Sequence, residues 1–156
     1  MSVIENLQAL GWQLPDPPRP VANYWPIVAS GSHLLISGQL PLRDGEPVAT
    51  GPVPSKISVL DAQQAAAQCV INGLALTGQE LQGDWDRLIR ILRLGVVVQS
   101  DDGFGDQPKV ANGASDLLVH VFGDRGRHVR VAVGVNALPL DASVEVEMTV
   151  EVRPSR

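Results

Sequence analysis

The feature that most constrains the fold is the stretch from His128 to Arg153, in which apolar and polar residues alternate over two runs. Alternation with a period of two is typical of β-strands that bury one face. One face of each run is apolar, and its members are Val131, Val133 and Val135 in the first run and Val144, Val146, Met148, Val150 and Val152 in the second. Because the apolar faces of an antiparallel pair must coincide, we predict a terminal hairpin in which Val135 lies opposite Val144.

The other face of this predicted hairpin carries its polar residues. Counting from the loop places Arg130 opposite Thr149 and Gly134 opposite Glu145, so that Arg130 and Glu145 are separated by roughly 13 Å along the strands. Only small side chains stand between them, and this arrangement predicts a recess for a small anionic molecule. The alternative is a solvated face with ordinary surface charges, and strand parity by itself favours that alternative.

The composition bounds the class of protein. The chain of 156 residues carries a net charge of −5 and no cluster of Lys and Arg, which argues against a nucleic-acid partner. No apolar run reaches membrane-spanning length and the N-terminus lacks a targeting pattern, so we expect a cytoplasmic protein without membrane contact. The single cysteine, Cys69, excludes an intrachain disulfide, and the spacing of the three histidines fits no zinc motif. We expect no metal.

The first part of the chain is a lead-in. Residues 2–10 predict a short helix, with Ser2 as its cap and Glu5 completing a capping box. The four prolines between Pro15 and Pro20 impose an extended path that delivers Tyr24 along the surface of the domain. The alternative for this aromatic side chain is simple packing on the domain.

A first hairpin follows the lead-in. The pattern predicts strands over 27–29 and 33–37, and it indicates a short additional strand over 47–49. Ser37 and Gly38 then offer a hydroxyl and an unobstructed backbone amide at the end of the strand, both of which can orient a carboxylate or a water. An isolated Ser-Gly is more often an ordinary turn.

The middle of the chain predicts two helices and a buried strand. A long helix spans 61–81, a strand spans 88–99, and a second helix with Asp106 as its cap spans 108–122. Cys69 lies on the small-residue face of the first helix, so we interpret it as a packing residue and not a nucleophile. These elements predict an α+β fold with both larger helices on one sheet face. Self-association would cover the other face and could form a site between subunits.

Several motifs resemble the RidA family, also called YjgF-like or endoribonuclease L-PSP. They are SGQLP at 37–41, the buried strand ending near VQS, VANGASDLL around Asn112, and RVAVGVNALPLDASVEVE at 130–147. The resemblance covers about 24–152 and is to a divergent subgroup with an N-terminal helical extension.

The resemblance implies a fold, an assembly and an activity. It implies one RidA-like domain over 1–156, with 1–23 as helix and proline-rich lead-in, a chorismate mutase-like fold, and a homotrimer with ligand clefts between subunits. Family members hydrolyse reactive 2-enamine and 2-imine acids to 2-oxo acids and ammonia without a metal or cofactor. The implied enzyme is a hydrolase like the 2-iminobutanoate/2-iminopropanoate deaminases, with a small carboxylate as substrate.

The resemblance also implies site residues. Arg130 matches the arginine that binds the substrate carboxylate, and Glu145 matches the glutamate that polarises a water. The remaining matches line the cleft and are Ser37, Gly38, Asn112 and Tyr24. Ala132 and Gly134 replace a cysteine and an acidic residue that are usual in active relatives. These smaller side chains enlarge the floor of the cleft, which favours a substrate with a larger side chain.

Two other functions stay open at this point. One is a trimer that binds a 2-oxo acid or similar metabolite, for regulation and without catalysis. The other is the ribonuclease or translation-inhibitor activity that the older family label suggests, against which the acidic net charge weighs.

Overall fold

A computed structural model describes residues 1–17 and 23–154 of the chain, and it contains a five-stranded mixed sheet with two long helices on one face. The helices are α1 Val3–Ala9, α2 Val59–Glu80 and α3 Gln107–Phe122. The strands are β1 Ile27–Ser30, β2 His33–Gln39, β3 Leu42–Arg43, β4 Glu46–Pro47, β5 Leu88–Gln99, β6 Val129–Val135 and β7 Val144–Val152.

The sheet has the strand order β1-β2-β7-β5-β6, and this order shows that the predicted terminal hairpin is wrong. β5 lies between β6 and β7, pairing in parallel with β6 and antiparallel with β7. The physical reason is the crossover: α3 joins β5 to β6, and a helix of this length lets the chain return to lay a parallel strand beside the first. Alternation along a strand does not specify which strand lies beside it.

The pairing through β5 also reverses the predicted faces of β6. Leu94 pairs with both Arg130 and Met148, so these three side chains lie on the face that α2 and α3 cover. Val97 pairs with both Val133 and Glu145, and these side chains lie on the open face. The valines of β6 that we predict to be buried are therefore exposed in the single chain, with Val131 at 42% and Val133 at 46% of full accessibility.

α2 packs closely on the sheet, as its small-residue face predicts. A Cβ added to Gly73 would lie 2.6 Å from Cε of Met148 in β7, so the methyl group of Met148 occupies the space that glycine leaves. The cap of α2 is Ser58, whose hydroxyl accepts a hydrogen bond from the backbone N–H of Asp61. Asp61, at which we predict the helix to begin, therefore lies inside it, three residues after the observed cap. Cys69 is buried on this face, as predicted.

The short helix α1 begins as predicted. Ser2 and Glu5 form a capping box, in which each side chain bonds the backbone of the other residue. Asn6 ties α1 to the end of α3 by donating a hydrogen bond of 2.9 Å to the carbonyl of Val121. Two of the four prolines in the lead-in, Pro18 and Pro20, lie outside the described residues.

Two smaller predictions need correction. In place of the strand predicted over 47–49, the chain forms β3 and β4, two strands of two residues each that pair with each other, and β4 ends at Pro47. β2 does not end at Ser37 and Gly38 but continues to Gln39. Asp106 is the cap residue of α3, as predicted, although its side chain makes no capping hydrogen bond. In the described part of the chain, no helix is long and apolar enough to cross a membrane.

Candidate functional site

Arg130 lies in the groove between the edge strand β6 and α3. Its Nη1 donates hydrogen bonds of 3.0 Å to Oδ1 of Asn112 and 3.0 Å to Oγ of Ser115, and its Nη2 donates one of 3.3 Å to the carbonyl of Pro108. The spacing of Pro108, Asn112 and Ser115, four residues and then three, places them on one face of α3. α3 therefore holds the guanidinium of Arg130 through three residues that are spaced along one face of the helix.

The guanidinium keeps donors for a ligand. Arginine has five N–H groups, and three of those of Arg130 are used by α3. The Nε–H and one N–H of Nη2 have no acceptor among residues 1–17 and 23–154. Two N–H groups of one guanidinium can bind a carboxylate in two parallel hydrogen bonds, and the side chain is only partly buried.

The two departures from the family pattern lie beside Arg130 on the same strand face. Ala132 packs against the hydrophobic core. A Cβ added to Gly134 would lie 2.7 Å from Nε2 of Gln107 and 2.9 Å from Oγ of Ser100. The space that glycine leaves is thus occupied by these two side chains. Nε2 of Gln107 donates a hydrogen bond of 3.2 Å to Oγ of Ser100. The structure does not show the enlarged floor that we expect from Gly134.

Glu145 belongs to a second cluster, on the open face of the sheet. Its carboxylate lies over Gly38, where the pairing of β2 with β7 is interrupted by a register shift between Ile36 and Gln39. Ser37 is next in the chain, and its hydroxyl accepts a hydrogen bond of 3.3 Å from Nε2 of Gln39. Gly38 and Glu145 are therefore in contact, and Ser37 is adjacent to Gly38 in the chain.

The surroundings of Glu145 favour its protonated form. Partial burial raises the pKa of the Glu145 carboxyl above its ordinary value, and the negative charge of Glu147 on the same strand face raises this pKa further. Glu147 itself forms a short ion pair with Arg93 of the neighbouring strand. The raised pKa makes the carboxylate of Glu145 a stronger base than that of an ordinary glutamate.

Tyr24 lies just before β1, at the opposite edge of the sheet from β6. Its side chain is 53% exposed, and it is followed by Trp25 at 75%. Within one chain the structure does not bring Tyr24 to Arg130.

The two clusters are separated by the sheet. Arg130 is on the helix-covered face of the edge strand, whereas Glu145 is on the open face of the central strand β7. Two strand spacings and a shift of three residues put their Cα atoms about 14 Å apart. A small molecule cannot contact both side chains of the same chain, so a site that uses both needs a second copy.

Comparison with known proteins identifies the relatives of this fold. Residues 5–152 match the sequence model of a family described as "YjgF/chorismate mutase-like, putative endoribonuclease". The chain belongs to this family. Membership in the YjgF, or RidA, family confirms the resemblance that the sequence motifs carry and the chorismate mutase-like α+β fold.

Individual proteins are similar to this chain over most of its length. Protein TCP17 of Trypanosoma cruzi is 45% identical over 150 residues, which are 96% of this chain and 93% of TCP17. The crystal structure of Atu1372, a protein of unknown function from Agrobacterium tumefaciens, is 41% identical, covers 97% of this chain and 94% of its own, and superposes with a TM-score of 0.91. TdcF of E. coli with bound serine shares the fold at 22% identity, with a TM-score of 0.62 over 89% of this chain and 94% of its own.

Sequence reasoning missed two members of the Arg130 cluster, Ser115 and His128. Nε2 of His128 lies 3.0 Å from Oγ of Ser115, which is the hydroxyl that accepts from Arg130. Two signals could have found them. His128 precedes Arg130 by two residues and so shares its strand face, and Ser115 follows Asn112 by three residues and so shares its helix face. Among the described residues, no group of three or more His, Cys, Asp or Glu side chains converges to form a possible metal site.

Proposed function

We propose that this protein is a hydrolytic deaminase of 2-enamine and 2-imine acids, which it converts to 2-oxo acids and ammonia in clefts between the subunits of a homotrimer. The observation that carries this proposal is the arrangement of hydrogen bonds around Arg130. Its guanidinium is held by α3 through three hydrogen bonds, while the Nε–H and one N–H of Nη2 stay available on a partly exposed edge. Such a group is suited to anchor a small carboxylate.

Glu145 supplies the chemistry in this proposal. Its carboxylate accepts a proton from a water as the oxygen of that water attacks C2 of the imine, forming a tetrahedral carbinolamine. Glu145 then returns the proton to the nitrogen, which completes the carbinolamine with one hydroxyl and one amino group on C2. The hydroxyl proton next passes through Glu145 to the amino group, the C–N bond breaks so that NH3 leaves, and the C2–O bond becomes the carbonyl of the 2-oxo acid. An enamine enters the same route once its C3 is protonated to give the imine. The raised pKa of Glu145 suits a group that takes a proton from water, because it makes the carboxylate a stronger base than an ordinary glutamate.

The assembly follows from the separation of the two clusters. Because Arg130 and Glu145 lie on opposite faces of one sheet, the proposal assigns them to different subunits of each cleft. The open face offers apolar side chains to a second copy, including Val28 at 47% and Leu35 at 48% exposure in the single chain. In the same assembly Ser37, Gly38, Asn112 and Tyr24 line the cleft, and each subunit is one domain.

The relatives supply a further argument. The crystal structure of TdcF of E. coli contains bound serine, so the shared fold can hold a small amino acid with a free carboxylate. A 2-imino acid has the same carboxylate at the same distance from its nitrogen-bearing carbon. The net charge of −5 does not favour RNA as the substrate.

The test is a coupled assay. A threonine or serine dehydratase generates the imine, and its decay is followed with and without the purified protein. We expect acceleration by the wild-type protein and a loss of at least about a hundred-fold in Arg130→Ala, with the mass of the assembly unchanged. Arg127→Ala, which removes an exposed arginine of the same region, is the matched control. No acceleration with any of several parent amino acids would overturn the proposal.

A second candidate function is binding of a 2-oxo acid without catalysis. It is favoured because all the groups that hold the Arg130 guanidinium come from one chain, and Glu145 is not among them. A melting temperature that rises with a 2-oxo acid, in the absence of turnover, would select this function.

A further inference from the structure

We propose that His128 and Ser115 position the guanidinium of Arg130 for carboxylate binding, with His128 in the neutral Nδ1–H form and the Ser115 hydroxyl donating to it. This inference rests on the proposed function, since it assigns Arg130 the role of substrate anchor. It adds two positioning residues that contact Arg130 or its partner and not the substrate.

The tautomer of His128 follows from its two neighbours. Nδ1 lies 2.6 Å from the backbone carbonyl of Gly126, and a carbonyl oxygen can only accept, so Nδ1 carries a hydrogen. In the neutral ring Nε2 is then an acceptor. Oγ of Ser115, 3.0 Å away, must donate its hydrogen to this nitrogen.

The direction of the Ser115 hydroxyl decides what Arg130 meets. A serine hydroxyl rotates freely unless a strong acceptor fixes its hydrogen. With that hydrogen directed at His128, the lone pairs of Oγ face Nη1 of Arg130, which donates to it at 3.0 Å. The chain of donors therefore runs in one direction, from Arg130 to Ser115 to His128.

The neutral state of His128 has independent support. Partial burial lowers the pKa of the His128 imidazole, the hydrogen bond to Gly126 opposes this effect, and the positive charge of Arg130 lowers the pKa further. A protonated ring would present an N–H to Ser115 and a second positive charge to the guanidinium. The unprotonated ring avoids both.

The consequence concerns the edge of the guanidinium. Asn112 and Ser115 together use both N–H groups of Nη1, so that this nitrogen is fixed against α3. Rotation about the terminal bonds of Arg130 would break both contacts. The Nε and Nη2 edge is thereby held outward, which lowers the entropy that is lost when a carboxylate binds.

The test uses binding of 2-oxobutanoate by calorimetry, together with kcat and KM in the coupled assay. We expect Ser115→Ala and His128→Leu to raise Kd and KM about ten-fold, the loss of one hydrogen bond to a charged group, with kcat nearly unchanged. Ser115→Thr and His128→Gln keep the hydroxyl and the acceptor, respectively, and should restore binding. His120→Leu, which removes an exposed histidine of α3, is the matched control.

Two results would overturn the inference. One is unchanged 2-oxobutanoate affinity in Ser115→Ala and His128→Leu while Arg130→Ala has lost it. The other is an ¹⁵N spectrum that shows His128 protonated at Nε2 in the neutral ring. If instead the wild-type protein neither binds a 2-oxo acid nor accelerates imine decay, the proposed function fails, and the ¹⁵N spectrum still decides the His128 tautomer.

Discussion

The carboxylate of Glu145 occupies the position that a side chain at Gly38 would need: a Cβ added to Gly38 would stand 2.0 Å from Oε1 of Glu145 and 2.8 Å from its Cδ. The backbone angles of Gly38 are not in the left-handed region, so the need for glycine comes from this contact alone. Gly38 therefore sets the position of Glu145.

Gly38→Ala should move the Glu145 carboxylate without unfolding the protein. Because a displacement of about 1 Å at a reacting group can cost up to a hundred-fold in rate, we expect kcat for imine hydrolysis to fall ten-fold to about a hundred-fold. KM should change little, since Arg130 is untouched. Gly105→Ala is the control, because a Cβ there meets nothing within 4 Å. Full kcat in Gly38→Ala would contradict the role of Glu145.

Arg130 and Glu145 should complement each other between subunits. Arg130→Ala and Glu145→Gln are each expected to be inactive, but unfolding and refolding them together gives mixed trimers. Equal mixing should restore about a quarter of the wild-type sites, because one site in four combines an intact arginine with an intact glutamate from two chains. If both residues came from the same chain, no mixture would recover activity.

Glu145→Gln should also change the dependence of stability on pH. Burial and the charge of Glu147 raise the pKa of Glu145 above 4.5 in the folded protein, so the folded state holds this proton more firmly than the unfolded chain. Stability is therefore lost as pH rises through the folded pKa. We expect a higher melting temperature for Glu145→Gln than for wild type at pH 7, and no such gain below pH 4.5. Glu46→Gln, at an exposed position of β4, is the control.

Cys69 should be dispensable for turnover. Its thiol is fully buried, donates to the carbonyl of Val144 at 3.7 Å, and has a pKa raised well above the ordinary value by burial and by the charge of Glu145. We expect no alkylation of the native protein by iodoacetamide. Cys69→Ala should keep kcat while losing about 1 kcal/mol of unfolding free energy. Rapid labelling in the folded state would contradict this assignment.

Local patterns predicted the separate elements well. The capping box of Ser2 and Glu5, the small-residue face that contains Cys69, and the apolar run of β5 each depend on residues close in sequence, and the structure confirms all three. Glu145 contacts Gly38 across the pairing of β2 with β7, and no local pattern indicates this contact.

Strand pairing could not be predicted from the same patterns. The valines of β6 alternate as strictly as those of β7, but Val131 and Val133 belong to the open face, and Arg130 faces α3. Alternation reports that one face of a strand is apolar and does not distinguish the core from an interface. The position of β5 between the two strands depends on α3, whose crossover is a property of the whole chain.

Under the proposed function, the opposite-face arrangement of Arg130 and Glu145 predicts that catalysis depends on protein concentration. A solution diluted below the dissociation constant of the assembly would contain folded chains that each keep a carboxylate anchor but lack a proton acceptor beside it. Specific activity per chain should then fall on dilution and return on concentration, while the far-ultraviolet circular dichroism stays constant. Cells that make little of this protein would have less activity than the amount of chain suggests.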